Sequence, residues 1–315
     1  IKTDKYVKFI VTRIWNGETE QYEVLVDYEI LTKDRFDEET ATDTAYRTSP
    51  SGVQYVGFEE DENGKQYVST SPVLDVISIR NSNNNGNVRS RSTNAGGIIA
   101  KSVGDMEIHN SNNYAPVESG YYNASGIVAE TLKDESDNEN YVFIKKCINE
   151  GKITGSYDAS GIIARSQVDE IDIRNSSNME NISANGYAAG AIGEMNGNAY
   201  VKNFENIADV SAPYASGVIA NSFENDNLIK VDGVYIEGTI VAGSKGAGVI
   251  AYTNANDVVI ENSKILNTVI KSNVYSGSES AFLVSMAYKN VEIKNNIIDN
   301  CKIDYIGAYS NALIG

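Results

Sequence analysis

The segment Ser160-Gly161-Ile162-Ile163-Ala164 decides how this chain is read, because it recurs. The same small-Gly-aliphatic pattern stands at Gly96-Gly97-Ile98-Ile99-Ala100, Ser125-Gly126-Ile127-Val128-Ala129 and Ala189-Gly190-Ala191-Ile192-Gly193. It returns at Ser216-Gly217-Val218-Ile219-Ala220 and Ala247-Gly248-Val249-Ile250-Ala251. Two degenerate copies follow, read as Ser280-Ala281-Phe282-Leu283-Val284 and Asn311-Ala312-Leu313-Ile314-Gly315. A period of roughly 30 residues marks stacked units, each burying its apolar face only against its neighbours.

A second motif, aliphatic-x-aliphatic-x-Asn-Ser, precedes the first. It reads Ile77-Ser78-Ile79-Arg80-Asn81-Ser82, Met106-Glu107-Ile108-His109-Asn110-Ser111 and Ile171-Asp172-Ile173-Arg174-Asn175-Ser176, with later copies at 258–263 and 291–296. A third, weaker strand lies between the two motifs, as in Lys152-Ile153-Thr154 and Asn181-Ile182-Ser183. Alternation at period two specifies strands, and Asn, Gly and β-branched residues are poor helix formers. Three short strands per unit describe an all-β chain, a right-handed parallel β-helix (solenoid) of about eight coils over residues 73–315. Coils then rise about 4.8 Å each, with Ile77 and Ile79 stacked on Met106 and Ile108. Asn81, Asn110, Asn175, Asn203, Asn262 and Asn295 should form a turn column. Lys146 and Gly233 interrupt it, and local irregularity is expected there.

Residues 1–72 lack the repeat. Runs at 6–14 and 22–31 flank Asn16-Gly17, and runs at 53–58 and 66–68 flank Asn63-Gly64. They read as two β-hairpins, forming an N-terminal β cap or small β domain that closes the first coil's open edge. Ala308 to Gly315 reads as a strand in mid-coil, covered by more chain or by another subunit. A first residue of Ile1 rather than Met reads as a processed form or a piece of a longer parent chain.

Twenty-six Lys and Arg against 43 Asp and Glu leave a net charge of −17 over 315 residues. That balance argues against nucleic acid, which needs a basic stripe, and against anionic membranes. No run approaches the roughly 18 apolar residues of a membrane span, so no membrane insertion is expected. The single His disfavours chemistry built on paired histidines. Cys147 and Cys301 fall in coils three and eight, about 24 Å apart at the strand spacing, far beyond disulfide reach. Two free thiols are expected, with Cys147 filling the slot of Ser82, Ser111 and Ser176.

Two surface features stand out. The outward position before the Asn column reads Arg80, His109, Lys145, Arg174 and Lys202, then Asp232, Glu261 and Lys294. Stacked like charges repel. Either diagonal pairing with Glu107 and Asp172 offsets them, or the strip binds an anionic glycan or wall polymer. In the second case His109 makes retention pH-dependent near about 6.5. Tyr122, Tyr157, Tyr187, Tyr214 and Tyr309 precede the small-Gly motif by three or four residues, which suggests an aromatic ladder. It either covers the turn or forms a platform for sugar rings or partner proteins. No cofactor is called for. The acidic segments 59–62 and 133–140 carry oxygen ligands for Ca²⁺ but no fixed ligand spacing, and read as solvated turns. The glycine motif lacks the Gly-Lys-Ser/Thr ending of a phosphate loop.

Ile79-Arg80-Asn81-Ser82-Asn83-Asn84-Asn85-Gly86-Asn87-Val88, and residues 144–155 followed by Ala159-Ser160-Gly161-Ile162-Ile163-Ala164, resemble GLUG-type repeats. Such repeats occur in secreted and wall-attached bacterial proteins, including the non-catalytic N-terminal regions of IgA-protease-like metallopeptidases. The resemblance covers about residues 73–315, with Ala or Ser replacing the first Gly in most copies. It implies an extracellular or cell-wall attached bacterial module, a stalk or adhesin that binds a glycan or surface protein without catalysis. No His-Glu-x-x-His is present. The alternatives are a β-helix polysaccharide lyase or glycosidase, with Asp172, Arg174 and Lys145 as its constellation, and a phage fibre segment.

Overall fold

The computed structural model describes residues 76–134, 139–272, 279–305, 309–311 and 313, together with the backbone of five strands nearer the N-terminus. The chain divides into two compact units, Ile1–Ile77 and Ser78–Gly315. Every element among the described residues is a strand.

In the first unit, β1 (Tyr6–Asn16) pairs antiparallel with β2 (Gln21–Leu31), and β4 (Gln54–Glu60) with β5 (Gln66–Ser71). These are the two expected hairpins. β1 also pairs with β5, and a short β3 (Tyr46–Thr48) joins β4, giving one five-stranded antiparallel sheet in the order β2-β1-β5-β4-β3. The side chains of residues 1–75 lie outside the described residues.

The second unit is a parallel β-solenoid. Its first face is an eight-stranded sheet containing Met106–His109, Tyr141–Lys145, Glu170–Arg174, Asn198–Lys202 and their equivalents. Its third face has seven strands, among them Val128–Leu132, Ile163–Ser166 and Ile192–Met195. A continuous sheet of short strands wraps the corners between them. Eight levels on one face and seven on another make about seven complete turns.

Registers place equivalent residues over one another. Met106 pairs with Val142, then Ile171, and Ile108 with Ile144, then Ile173. Val117, Ile153, Ile182 and Val210 form a second inner column. All of these residues are buried, and each contributes roughly 1.5–3 kcal/mol by leaving water.

The turn column exists for a backbone reason. Asn81, Asn110, Asn175, Asn203, Asn262 and Asn295 all hold φ between 49° and 54°, the left-handed region where Asn and Gly are best tolerated. The irregularity expected at Lys146 and Gly233 does not occur. They hold φ 57° and 68° in the same turn, because hydrogen bonds from coil to coil impose the bend whatever the side chain. Lys146 N–H still donates to Arg174 O at 3.0 Å, and Gly233 N–H to Glu261 O at 3.0 Å.

The seventh small-Gly copy is also corrected, by one residue. Ala247 pairs with Ala281 and Ile250 with Val284, so Phe282, not Ala281, occupies the glycine position. In the earlier coils glycine is required there. A Cβ on Gly161 would lie 2.5 Å from Gly190 O and 2.6 Å from Asn178 Cβ. In the last coil Asn290–Lys294, Ile297–Asp299, Lys302–Tyr305 and Tyr309–Asn311 all pair with the coil before, while 306–308, 312 and 314–315 lie outside the described residues.

Candidate functional site

The basic strip assembles in register. His109 pairs with Lys145, Lys145 with Arg174, Arg174 with Lys202, and Lys202 with Asp232. Alternation turns the inner residues of these strands to the core and leaves the strip on the outside of the first face. Beside it runs a second outward column, Glu107, Phe143, Asp172, Tyr200 and Lys230.

The strip's charges are largely satisfied from that second column and from the strip's own acidic members. Arg80 reaches Glu107 at 3.2 Å, and His109 Nε2 lies 3.6 Å from the same carboxylate. Arg174 grips Asp172 with two donors, Nε to Oδ1 at 2.8 Å and Nη2 to Oδ2 at 2.5 Å. Lys202 pairs with Asp232 at 3.2 Å, and Lys230 with Glu261 at 2.8 Å. The Asn262 amide and the Lys202 ammonium hold the Asp232 carboxyl below its usual pKa. Among the described residues Lys145 has no acidic partner. Phe143 beside it takes His109 edge-on at 5.2 Å, and the Arg174 guanidinium over its ring at 5.6 Å. Around Tyr200 the face dips into a depression of about 190 Å³, lined by Asp172, Arg174, Tyr200, Lys202, Lys230 and Asp232.

The tyrosines do not form one ladder. Tyr187 pairs with Tyr214, but the residue below Tyr187 is Asp158, not Tyr157. Tyr122 likewise stands one residue ahead of this column, since Ala124 pairs with Ala159. The reason is spacing: Tyr122 and Tyr157 precede their glycine by four residues, Tyr187 and Tyr214 by three, so the two pairs stand one register position apart. Tyr309 falls in the Tyr187 column through Lys245 and Glu279, with its side chain outside the described residues.

What forms instead is an aromatic seam at the bend between the wrapped sheet and the third face. Tyr187 meets Tyr214 at 5.0 Å, Phe223 at 5.9 Å and Tyr157 at 6.4 Å. Tyr214 meets Tyr252 at 6.1 Å, and Tyr252 meets Tyr288 at 5.9 Å. Tyr157, Phe223 and Tyr288 stay 47, 43 and 60 % exposed. The sequence reading missed Phe223, Tyr252 and Tyr288, which follow the glycine motif, Tyr252 on the next strand and Phe223 and Tyr288 just past the end of theirs.

Below its aromatic half the seam is polar. Asn94 donates to Glu130 at 2.8 Å, Lys101 pairs with Glu130 at 3.2 Å, and Arg165 with Glu194 at 3.2 Å. Asp158 is fully buried and accepts from Tyr187 N–H at 3.3 Å. Burial, then the neighbouring Glu194 carboxylate, push its carboxyl up to about 8. Glu194 is also raised by burial, with Arg165 opposing.

Cys147 and Cys301 are free. Cys147 fills the serine slot as expected, its Sγ 3.5 Å from Lys145 O, where Ser176 Oγ donates to Arg174 O at 3.0 Å. Among the described residues no group of three His, Cys, Asp or Glu side chains is arranged to hold a metal ion. Both acidic segments weighed for Ca²⁺ lie partly outside the described residues. Among the described residues no helix is long and apolar enough to cross a membrane. Comparison with protein-family models, curated proteins and solved structures finds no match to this chain.

Proposed function

We propose that this chain is a non-catalytic cell-surface β-solenoid module, a stalk or adhesin, that holds an extracellular glycan or protein partner along its aromatic seam. The observation that carries the reading is the chain of ring contacts from Tyr157 through Tyr187, Tyr214 and Tyr252 to Tyr288, with Phe223 alongside. Its outer rings remain exposed on a backbone fixed by interlocking parallel sheets. Aromatic rings with one apolar face and a polar edge suit both sugar stacking and protein hot spots. The GLUG-type resemblance supports an extracellular setting.

The test is retention on arrays of glycans and bacterial or host surface proteins, comparing wild type with a Phe223→Ala, Tyr288→Ala double variant. Both side chains are surface-exposed, so folding should persist by circular dichroism while retention falls at least about tenfold. Unchanged retention, or none by wild type, overturns the proposal. So does release of unsaturated product from polyuronates that disappears in Lys145→Ala and Arg174→Ala, which would assign the chain to the lyases.

A further inference from the structure

The depression on the first face lies on a different sheet from the aromatic seam, and its chemistry is more specific. Tyr200 stands at its centre, half-buried, with Lys202 next to it along the strand toward the Asn turn. Asp172 and Arg174 flank this pair from the coil before, and Lys230 and Asp232 from the coil after. One aromatic side chain is thus framed by five charged ones over three coils.

We infer that this depression is a binding site for a single neutral saccharide ring, stacked on Tyr200 and hydrogen-bonded by the charged frame. Each cation in the frame is committed. Arg174 holds Asp172 bidentately, Lys202 holds Asp232, and Lys230 holds Glu261. Three cations against three carboxylates leave the frame with no net charge, so a polyanion gains little by entering it. An uncharged hydroxyl still finds partners, because a paired ammonium keeps N–H donors to spare and a paired carboxylate keeps free lone pairs. Donors and acceptors side by side suit hydroxyl groups, which do both. Hydrogen bonds to charged groups are the stronger kind. At about 190 Å³, the depression falls below the roughly 300–1,000 Å³ of sites that enclose drug-sized ligands. It therefore matches one ring of a glycan and not a wrapped chain.

The site is separate from the seam, and so is its test. The full chain is titrated with the methyl glycosides of glucose, galactose, mannose and N-acetylglucosamine, and with methyl glucuronide, by NMR at low and high salt. At least one neutral glycoside should bind with affinity unchanged within about twofold by salt, and more tightly than the glucuronide. Tyr200→Ala should weaken it about tenfold, as loss of a stacking partner does, while Tyr200→Phe restores it. Phe223→Ala should leave it unchanged. Salt-sensitive binding of the glucuronide alone, an unaltered affinity in Tyr200→Ala, or no binding by any glycoside overturns the inference. None of these outcomes touches the seam, whose partner is read by Phe223 and Tyr288.

Discussion

The side-chain amide of Asn113 donates to the carbonyl oxygen of Asn149 at 2.8 Å, across 36 residues of sequence, inside the solenoid and away from solvent. It is one rung of an inner ladder. Asn84 donates to Asn113 at 2.7 Å, Asn149 to Asn178 at 2.7 Å, and Asn178 to Asn206 at 2.7 Å. From Asn113 onward each amide also donates to the backbone carbonyl two residues on, as Asn149 does to Gly151 at 2.9 Å. The ladder stops where Asn206 pairs with Ile236, and Ile265 and Ile298 continue the column. A buried polar column is tolerated because each member is satisfied along the axis by its copies above and below.

Removing a middle rung should therefore cost more than removing the end. Asn149→Leu leaves Asn113 without its acceptor, Asn178 without its donor and Gly151 O unpaired, and should destabilise by about 2–4 kcal/mol. Asn206→Ile only moves the Asn-to-Ile boundary down one coil, strands the Asn178 donor and frees the Ala208 carbonyl. It should cost less, by at least about 1 kcal/mol. Urea midpoints of the two variants at equal m-value make the comparison. An equal loss would mean that the ladder is not cooperative along the axis.

The turn column makes an opposite prediction. Lys146 holds φ 57°, a conformation that costs an ordinary L-residue roughly 1 kcal/mol or more, and its side chain is exposed. Lys146→Asn or Lys146→Gly should stabilise the solenoid by about 0.5–1 kcal/mol, seen as a higher thermal midpoint. Gly126→Ala should do the reverse, since its Cβ would lie 2.3 Å from Asn149 Oδ1 and 2.5 Å from Gly161 O.

The outer and inner Asn columns also show how far the sequence could be read. The outer column follows an aliphatic alternation and betrays itself by position, so its left-handed turn was within reach. The inner column stands three residues after each turn residue, at Asn84, Asn113, Asn149, Asn178 and Asn206. That constant offset was available, yet residue type alone gives no sign that an amide faces inward. The tyrosines were only partly aligned, because three and four residues before a glycine are different register positions, and Tyr157 reaches Tyr187 across that one-residue offset. Tyr200 and the Phe223–Tyr252–Tyr288 edge of the seam were invisible, because no sequence pattern links outward residues of different strands until the register between coils is known. The strip's pairing was legible, since Glu107 and Asp172 stand two residues before its members.

Cys147 should be chemically silent in the folded chain. Burial raises its thiol to about 11, against the lesser opposing effect of hydrogen bonding with the Ser111 and Lys145 backbone. Near pH 8 little thiolate exists, and what exists is enclosed. An alkylating reagent should modify Cys147 only on unfolding. Cys147→Ser, which installs the residue used in the neighbouring coils, should change stability by less than about 1 kcal/mol. Fast labelling of Cys147 in native protein, mapped by peptide mass, would contradict this.

Asp158 gives the fold a pH dependence of definite sign. Its carboxyl sits at about 8 in the folded chain against an ordinary 3.8. Burial is the main cause, with Glu194 and Glu130 reinforcing it and Arg165 and the Tyr187 N–H opposing it. Between those two values the folded state holds a proton that the unfolded chain has released, so stability falls as pH rises from about 4 toward 8. Below that window both states are protonated, and above it both are ionised, so the contribution levels off. Every tenfold difference in proton affinity between the folded and unfolded chain is worth about 1.4 kcal/mol, which puts the whole effect on the order of a few kcal/mol. Asp158→Asn keeps an oxygen for the Tyr187 N–H and cannot ionise. Relative to wild type it should gain stability steadily across the window and be clearly the more stable protein at pH 8. Urea unfolding of both proteins at several pH values from 4 to 8 reads this directly. Parallel wild-type and variant curves would place Asp158 in an ordinary carboxylate environment.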